Sequence, residues 1–96
     1  MVIYVKDHVA SCTTNEDGEI ILHKIEEAIA NSGFAEVDFN GVTNATSSFV
    51  NSAFVPLLDR LRFEAVKRIL KVKHAHPQIA SMIRDRMSFE DRRIAA

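Results

Sequence analysis

The stretch VDFNGVTNATSSFV, residues 37–50, decides the fold because two kinds of periodicity meet in it. In residues 34–39 (FAEVDF), acidic side chains alternate with apolar ones, which predicts a strand. Asn40 and Gly41 then require a turn. From Phe49 onward the apolar residues recur at helical spacing, which predicts a helix.

Two connections between the strand and the next element fit this stretch. An Asn-Gly pair is the strongest short hairpin signal, and a hairpin would pair residues 34–39 with residues 42–46. We favour strand, loop and helix, because Ser47 or Ser48 is a good N-cap for the apolar helical pattern that follows. The sequence therefore predicts a loop after a strand end, followed by a helix with a hydroxyl group at its start.

Upstream of this stretch, the chain predicts a strand and a helix. Residues 2–6 (VIYVK) are β-branched and aromatic, which predicts the strand, and residues 7–14 continue either as a second strand or as a loop. Thr14 opens an approximate capping box, and Gly33 is placed to end the helix in the left-handed conformation. The inner stripe of this helix consists of Ile21, Ile25, Ala28 and Ile29.

Downstream, the chain predicts one more strand and one more helix. Pro56 removes a backbone donor inside the second helical pattern, so we expect a kink near Ser52 or a later helix start. Residues 68–74 (RILKVKH) alternate, which predicts a strand. Pro77 takes the first position of the last helix, and residues 88–96 either fray from that helix or extend it. Its inner stripe consists of Ile79, Met82, Ile83 and Met87.

This order predicts a single α/β domain over residues 1–96. The expected architecture is a two-layer fold with a three- to four-stranded mixed sheet, parallel neighbours joined by right-handed crossovers, and about three helices packed on it. Partners of such sheets meet the loops beyond the carboxyl ends of the strands. Asp38 and residues 46–48 are expected to lie there.

The composition excludes several classes of protein. Of the 96 residues, 47% are hydrophobic and 26% are charged, and no stretch approaches the ~18 apolar residues of a membrane span. The first residues lack the basic and apolar regions of an export signal, and the single Cys12 has no partner for a disulfide or a zinc motif. We expect a cytoplasmic protein without cofactor or metal that does not contact a membrane.

The motif VDFNGVTNATSSF resembles the centre of the STAS-like family of small bacterial domains. That family shows a strand ending in Asp-Phe, then Gly-Val, then a Thr/Ser-Ser-Ser-Phe step into a helix rich in Phe and Leu. Asp17-Gly18, just inside the first helix, is also similar to the family. The resemblance covers nearly the whole chain, and it implies a small STAS-like α/β fold.

The same resemblance implies a function in protein interaction. The parent STAS fold occurs in anti-sigma-factor antagonists, where a strand-end aspartate precedes an Asp-Ser-Ser-Gly-Leu step and a partner ATP-dependent kinase phosphorylates the second serine. By that spacing Thr46 stands at the second aspartate, Ser47 at the first serine and Ser48 at the phosphorylated one. Two departures are the missing carboxylate at Thr46 and the bulky Phe49 in place of glycine. The implied partner-binding residues are Asp38, Thr46, Ser47, Ser48 and Phe49.

The implied protein is a non-enzymatic regulatory module that docks a kinase-like ATPase, an anti-sigma factor or another regulator, and a homodimer is compatible with it. The alternative is a purely structural role, in which Ser47 or Ser48 serves only as the N-cap of a helix. Phe49, Phe54 and Phe63 are expected mostly in the core, unless one is left exposed as an anchor for a partner. No Gly-x-Ser-x-Gly motif indicates a hydrolase.

Two further functions are compatible with the sequence. Residues 1–48 carry two basic and eight acidic side chains, whereas residues 49–96 carry ten basic and five acidic ones. The asymmetry either forms a basic face or is neutralised in ion pairs. A nucleic-acid-binding regulator would use the basic segment, although a pI of 6.4 is low for that class. A small inhibitor of viral or plasmid origin on the same fold is the other alternative. The basic segment comprises Arg60, Arg62, Lys67, Arg68, Lys71 and Lys73.

A metal site is the weakest of the candidates. Asp38 could bind a metal, but an aspartate at a strand end more often accepts hydrogen bonds from loop amides. His74 and His76 have the spacing of two ligands on one strand face, yet no nearby cysteine or carboxylate in the sequence completes a site. We expect surface or capping histidines.

Overall fold

A three-stranded parallel sheet is the centre of the molecule. The computed structural model describes residues 2–95. Its elements, in chain order, are β1 (Val2–Tyr4), α1 (Val5–His8), α2 (Asn15–Ser32), β2 (Ala35–Asp38), α3 (Ser47–Ala53), a 3-10 helix (Val55–Asp59), α4 (Phe63–Ile69), β3 (Leu70–Lys73) and α5 (Pro77–Ala95). The strands lie in the order β1-β2-β3. The α/β prediction is confirmed, with the corrections that the three described strands are all parallel and that the helices outnumber the three expected.

The sheet has one buried face and one open face. Neighbouring residues in register share a face, and side chains alternate along each strand. Ile3 and Val37 are in register and are buried in one core with side chains of the helices. In the next register position, Tyr4, Asp38 and Lys73 line up on the other face, where Tyr4 is 50% exposed. The molecule therefore has the two layers that the order of elements predicts.

The turn after β2 has the predicted strand-loop-helix connection. The N–H of Val42 donates to the carbonyl of Phe39 (2.9 Å), and Gly41 between them has a positive φ of 82°, which glycine adopts without strain. The hairpin alternative is wrong, because both edges of β2 are already paired with β1 and β3. Residues 42–46 run instead beside the α1–α2 loop, where the N–H of Thr46 donates to the carbonyl of Cys12 (2.9 Å).

Two predicted strands are shorter than expected. β1 ends at Tyr4, and the next four residues form the helical turn α1, so residues 7–14 contain no second strand. The strand predicted over residues 68–74 begins only at Leu70, because α4 continues to Ile69. Phe63, Val66 and Leu70 have the helical spacing that sequence reasoning missed.

The helix boundaries otherwise follow their capping residues. The Thr14 hydroxyl accepts a hydrogen bond from the N–H of Asp17 (3.0 Å), and Gly33 ends α2 with a φ of 83°. Pro56 breaks the second helical pattern, since α3 ends at Ala53 and a 3-10 helix follows. Pro77 begins α5, and the described residues after Met87 extend that helix. None of the helices in residues 2–95 is both long and apolar enough to cross a bilayer.

Three phenylalanines form the centre of the core. Phe39, Phe49 and Phe54 are fully buried. The rings of Phe39 and Phe49 meet edge to face with centroids 6.5 Å apart, and those of Phe39 and Phe54 lie 6.3 Å apart. Phe63 is only partly buried and packs at the edge of this core. The cluster joins the end of β2 to α3, so it holds the start of α3 in place over the sheet.

Asp91 connects the end of α5 to the start of α4. Its carboxylate accepts two hydrogen bonds from the Arg62 guanidinium (2.9 and 3.0 Å) and one from the N–H of Phe63 (3.0 Å). These bonds, first from Arg62 and then from the backbone, lower the pKa of Asp91 from 3.8 to about 2. The carboxylate therefore caps α4 from another helix, in place of the local side-chain cap that Arg62 does not supply.

Asp91→Asn is expected to destabilise the protein at neutral pH and to have little effect near pH 2. Because the folded pKa lies below its unfolded value, ionised Asp91 stabilises the fold above pH 3.8, and this contribution is lost as the pH falls to about 2. Urea unfolding of both proteins across this range measures the difference. Asp59→Asn, at an exposed position without an ion pair in residues 2–95, is the control and should leave the profile unchanged. Equal profiles for wild type and Asp91→Asn would contradict the assignment.

Candidate partner-binding site at the carboxyl end of the sheet

Asp38, at the carboxyl end of β2, is bound by the loops on both sides of it. Its Oδ1 accepts a hydrogen bond from the N–H of Asn40 (2.8 Å), and both carboxylate oxygens lie 3.0 Å from Nδ1 of His74. The Asn40 amide, followed by His74, lowers the pKa of Asp38, although partial burial acts against them. An ionised carboxylate only accepts, so His74 Nδ1 carries the proton of this hydrogen bond.

This pairing assigns Asp38 an internal role. Asp38 is only 7% exposed, and it fixes the Asn-Gly turn and the chain after β3. His74 has a positive φ of 57°, in the left-handed region that few residues other than glycine adopt and that histidine adopts more often than most, and the contact with Asp38 fixes this turn. The expectation that a strand-end aspartate accepts from loop amides fits this geometry.

Thr46 is the N-cap of α3, and the predicted cap at Ser47 or Ser48 is wrong. The Thr46 hydroxyl accepts a hydrogen bond from the N–H of Phe49 (3.2 Å) and donates one to the carbonyl of Thr13 (3.0 Å). Its backbone is extended, whereas Ser47 is already the first helical residue. The second hydrogen bond explains the choice among three neighbouring hydroxyl residues, because only Thr46 lies against the α1–α2 loop.

Ser47 and Ser48 are both exposed on the first turn of α3. Neither hydroxyl forms a hydrogen bond with another group of residues 2–95, whereas the Thr46 hydroxyl forms two. Phe49, the remaining residue of the predicted set, is fully buried and cannot touch a partner in this structure. The exposed part of the candidate site is therefore Ser47 and Ser48, and Thr46 and Phe49 anchor it from below.

The loop that leads into α3 borders a cavity whose other wall sequence reasoning did not connect with it. The cavity of ≈ 240 Å³ lies between residues 9–13 and residues 41–44, and Lys6 lines it while its Nζ donates to the carbonyl of Gly41 (3.3 Å). Burial, and then the charge of Asp17, raise the pKa of the Cys12 thiol in its wall to about 11. The protonated form of the thiol is therefore favoured at neutral pH, which lowers its reactivity as a nucleophile.

Three of the six residues of the basic segment are engaged in ion pairs. Arg62 is paired with Asp91, Lys67 with Glu64 and Lys73 with Glu36. The other three residues lie on three different parts of the chain, namely the turn before α4, α4 itself and β3. Those three are Arg60, Arg68 and Lys71. Nucleic-acid binding thus remains a prediction of the charge pattern to which the geometry adds nothing.

The two histidines after β3 have different partners. His74 is bound to Asp38, and Nδ1 of His76 accepts a hydrogen bond from the N–H of Gln78 (3.2 Å), beside the start of α5. Within residues 2–95, no group of three or more His, Cys, Asp or Glu residues is arranged to hold a metal ion. The capping geometry predicted for histidine is confirmed at His76.

Comparison with known proteins supplies one match. A family model described as a STAS-like domain of unknown function (DUF4325) matches residues 17–80, which include most of α2 and all of β2, α3, α4 and β3. No curated protein and no solved structure matches the chain. The matched range contains Asp38 and the serines of α3.

Proposed function

Since this chain belongs to the STAS-like domain family, we propose that it is a non-enzymatic regulatory module that docks a protein partner through the exposed start of α3. Phosphorylation of Ser48, or of Ser47 beside it, switches this docking, and the partner is a kinase-like ATPase or a regulator controlled by one. The protein works in the cytoplasm. The observation that carries the proposal is the pair of exposed serine hydroxyls without hydrogen bonds, set on a rigid frame.

The hydrogen bonds formed by the Thr46 hydroxyl make Ser47 and Ser48 the better acceptors of a phosphoryl group. A phosphoryl group on Thr46 would remove the proton that its hydroxyl donates to the carbonyl of Thr13, and with it a bond that joins the start of α3 to the α1–α2 loop. On Ser47 or Ser48 it would project into solvent and leave both bonds of the Thr46 hydroxyl intact. Modification of a serine can therefore change the surface without unfolding the helix.

Hydrogen bonds hold α3 against its neighbouring helices, so phosphorylation of a serine changes only the local surface. Ser52 Oγ donates to Oδ1 of Asn15 (2.9 Å), and Nε of Arg86 donates to Oδ1 of Asn51 (2.9 Å), so α3 is joined to both α2 and α5. A phosphoserine adds nearly two negative charges at neutral pH. The neighbouring start of α2 already carries the acidic Glu16. A phosphate on either serine adds to this negative charge, and the combined charge repels an acidic surface of a partner.

Within residues 2–95, no hydroxyl or thiol is hydrogen-bonded to a histidine, although the hydroxyls of Ser11 and Ser81 donate to the carboxylates of Asp17 and Asp85. An activated nucleophile needs a base within hydrogen-bond reach. In residues 2–95, His74 forms its hydrogen bonds with Asp38, and no hydroxyl or thiol is bonded to it. The Cys12 thiol is buried and protonated. These features support a binding module rather than a hydrolase.

Affinity purification from the native host tests the proposal. Wild type, Ser47→Ala/Ser48→Ala and Ser48→Asp serve as baits, and mass spectrometry identifies the bound proteins and the phosphorylated residues. We expect a kinase-like ATPase with wild type and phosphate on Ser48 or Ser47 but not on Thr46. Unmodified serines in every preparation, together with equal recovery of partners by all three baits, would remove the switch.

Ser48→Asp is expected to weaken binding of the recovered partner about tenfold or more, which corresponds to about 1.4 kcal/mol. The aspartate lies in the first turn of α3, where a negative charge is tolerated, so the melting temperature should not fall. Asn31→Asp is the matched control, because it adds the same charge at an exposed position at the other end of α2. Isothermal titration calorimetry measures both affinities, and equal losses for the two variants would exclude a specific role of Ser48.

A further inference from the structure

The charge asymmetry of the sequence persists in the folded molecule. Four of the six ion pairs in residues 2–95 lie within the basic half, and two, Lys73–Glu36 and His74–Asp38, join the halves. None of these pairs involves α2. Its exposed glutamates therefore have no basic partner within residues 2–95, and they are Glu16, Glu19, Glu26 and Glu27.

A groove on the basic half of the chain, residues 49–96, is flanked by positive rather than negative side chains. It has a volume of ≈ 360 Å³ and lies between α4 and α5 over the outer strand β3. Its floor is apolar, and it includes Val66, Leu70, Ile83 and Met87. Lys67 of α4 and Arg84 of α5 stand at its sides, and both are exposed. Lys67 shares its charge with Glu64 of its own helix (3.2 Å), whereas Arg84 forms no ion pair within residues 2–95. An apolar floor with cationic sides fits an apolar side chain that is flanked by carboxylates.

The exposed face of α2 offers that combination. Ile20 is 42% exposed and is the one large apolar side chain of α2 among the exposed ones described. Glu16 lies one turn before Ile20 and Glu27 two turns after it on the same face, whereas Glu19 lies about 100° round the helix from Ile20. The same chain thus carries an acidic helix with an apolar centre and a basic groove with an apolar floor.

We infer that the α2 face of one molecule binds the α4–β3–α5 groove of a second copy. α2 packs against β2 and α3 of its own chain, so it cannot turn round to fill its own groove. The two surfaces lie on different parts of the chain, and where the contact is not reciprocated within one pair of molecules it extends into open chains or rings. Ile20 enters the groove, and the glutamates beside it meet Lys67 and Arg84.

Sedimentation velocity at rising protein concentration tests this contact. At about 0.01 M salt, where screening extends over ~30 Å, we expect the mean mass to rise above the 10.8 kDa monomer with concentration. At about 1 M salt, where the screening length is ~3 Å, the rise should disappear. A mass that stays at 10.8 kDa at low salt, or that stops at a salt-resistant dimer, overturns the inference.

Charge exchange identifies the surfaces. Glu16→Lys/Glu27→Lys makes the face of α2 around Ile20 basic, and Lys67→Glu/Arg84→Glu makes the groove acidic, all at exposed positions. Each double variant alone should remain monomeric at low salt, whereas an equimolar mixture should assemble again, because each surface then meets its opposite. Circular dichroism verifies that both variants are folded. Assembly by either variant alone, or a mixture that stays monomeric, would place the contact elsewhere. The inference stands independently of Ser47 and Ser48, which belong to neither surface.

Discussion

Phe39→Ala is expected to lower the free energy of unfolding by about 3–5 kcal/mol. The side chain is fully buried, and its ring contacts those of Phe49 and Phe54. Its N–H also donates to the carbonyl of Lys73 (2.9 Å), so the backbone there is tied to the end of β3 and cannot easily move inward to fill the space. Truncation removes apolar contacts and leaves a cavity that the aromatic neighbours cannot close.

The measurement is urea unfolding at neutral pH, followed by circular dichroism. Phe34→Ala is the matched control, because Phe34 lies on the other side of β2 and is 48% exposed. That change should cost less than a third as much. Since a domain of this size has a total stability of about 5–15 kcal/mol, Phe39→Ala brings the protein near its unfolding threshold. Equal midpoints for the two variants would mean that the faces of β2 are reversed.

The elements predicted correctly have local signals that agree with the tertiary structure. α2 has a cap at Thr14, an apolar stripe and Gly33 at its end, and each works within a few residues of chain. α5 likewise begins at Pro77 and buries Ile79 and Ile83. β2 shows the alternation that the core requires. Such features are visible in sequence because the interaction partners are close along the chain.

The wrong predictions concern elements whose structure depends on contacts between residues far apart in the sequence. At α4, the apolar residues around Val66 and Leu70 fit a helix and a strand about equally well, and packing against α5 and the 3-10 helix settles the choice. The cap of α3 falls on Thr46 rather than on Ser47 because Thr46 alone meets the carbonyl of Thr13, 33 residues away. Both outcomes depend on which loops lie together.

The sequence predicted the position of the candidate segments in the fold more accurately than the contacts that their side chains make. The strand order brings the loop after β2 and the start of α3 to one end of the sheet, as the alternating elements imply. The pairing of Asp38 with His74 was missed because it requires the register of β2 with β3, across 36 residues. Both residues lie at strand ends, and this is the signal from which the pairing could have been found.

Gly18→Ala is expected to lower the free energy of unfolding by about 3 kcal/mol, the upper part of the usual range for overpacking. Gly18 lies in α2 where this helix crosses α3. A Cβ atom there would lie 2.6 Å from the carbonyl oxygen of Phe49 and 2.7 Å from Cβ of Ser52. The first of these is a backbone atom, so relief requires the two helices to separate rather than one side chain to rotate. Separation would also displace the first turn of α3.

Helix propensity alone predicts that Gly18→Ala raises the free energy of unfolding. The sign of the measured change therefore distinguishes the two effects. Alanine in place of glycine within a helix gains about 1 kcal/mol when nothing else changes. Gly33→Ala is the control for the glycine effect alone, because no heavy atom outside the immediate chain lies within 4 Å of the added Cβ and only its φ of 83° opposes the change. We expect that variant to lose about 1 kcal/mol. Urea unfolding of both proteins decides between the two effects: a Gly18→Ala protein more stable than wild type would mean that α2 and α3 do not approach this closely, and the start of α3 would lose its anchor to α2.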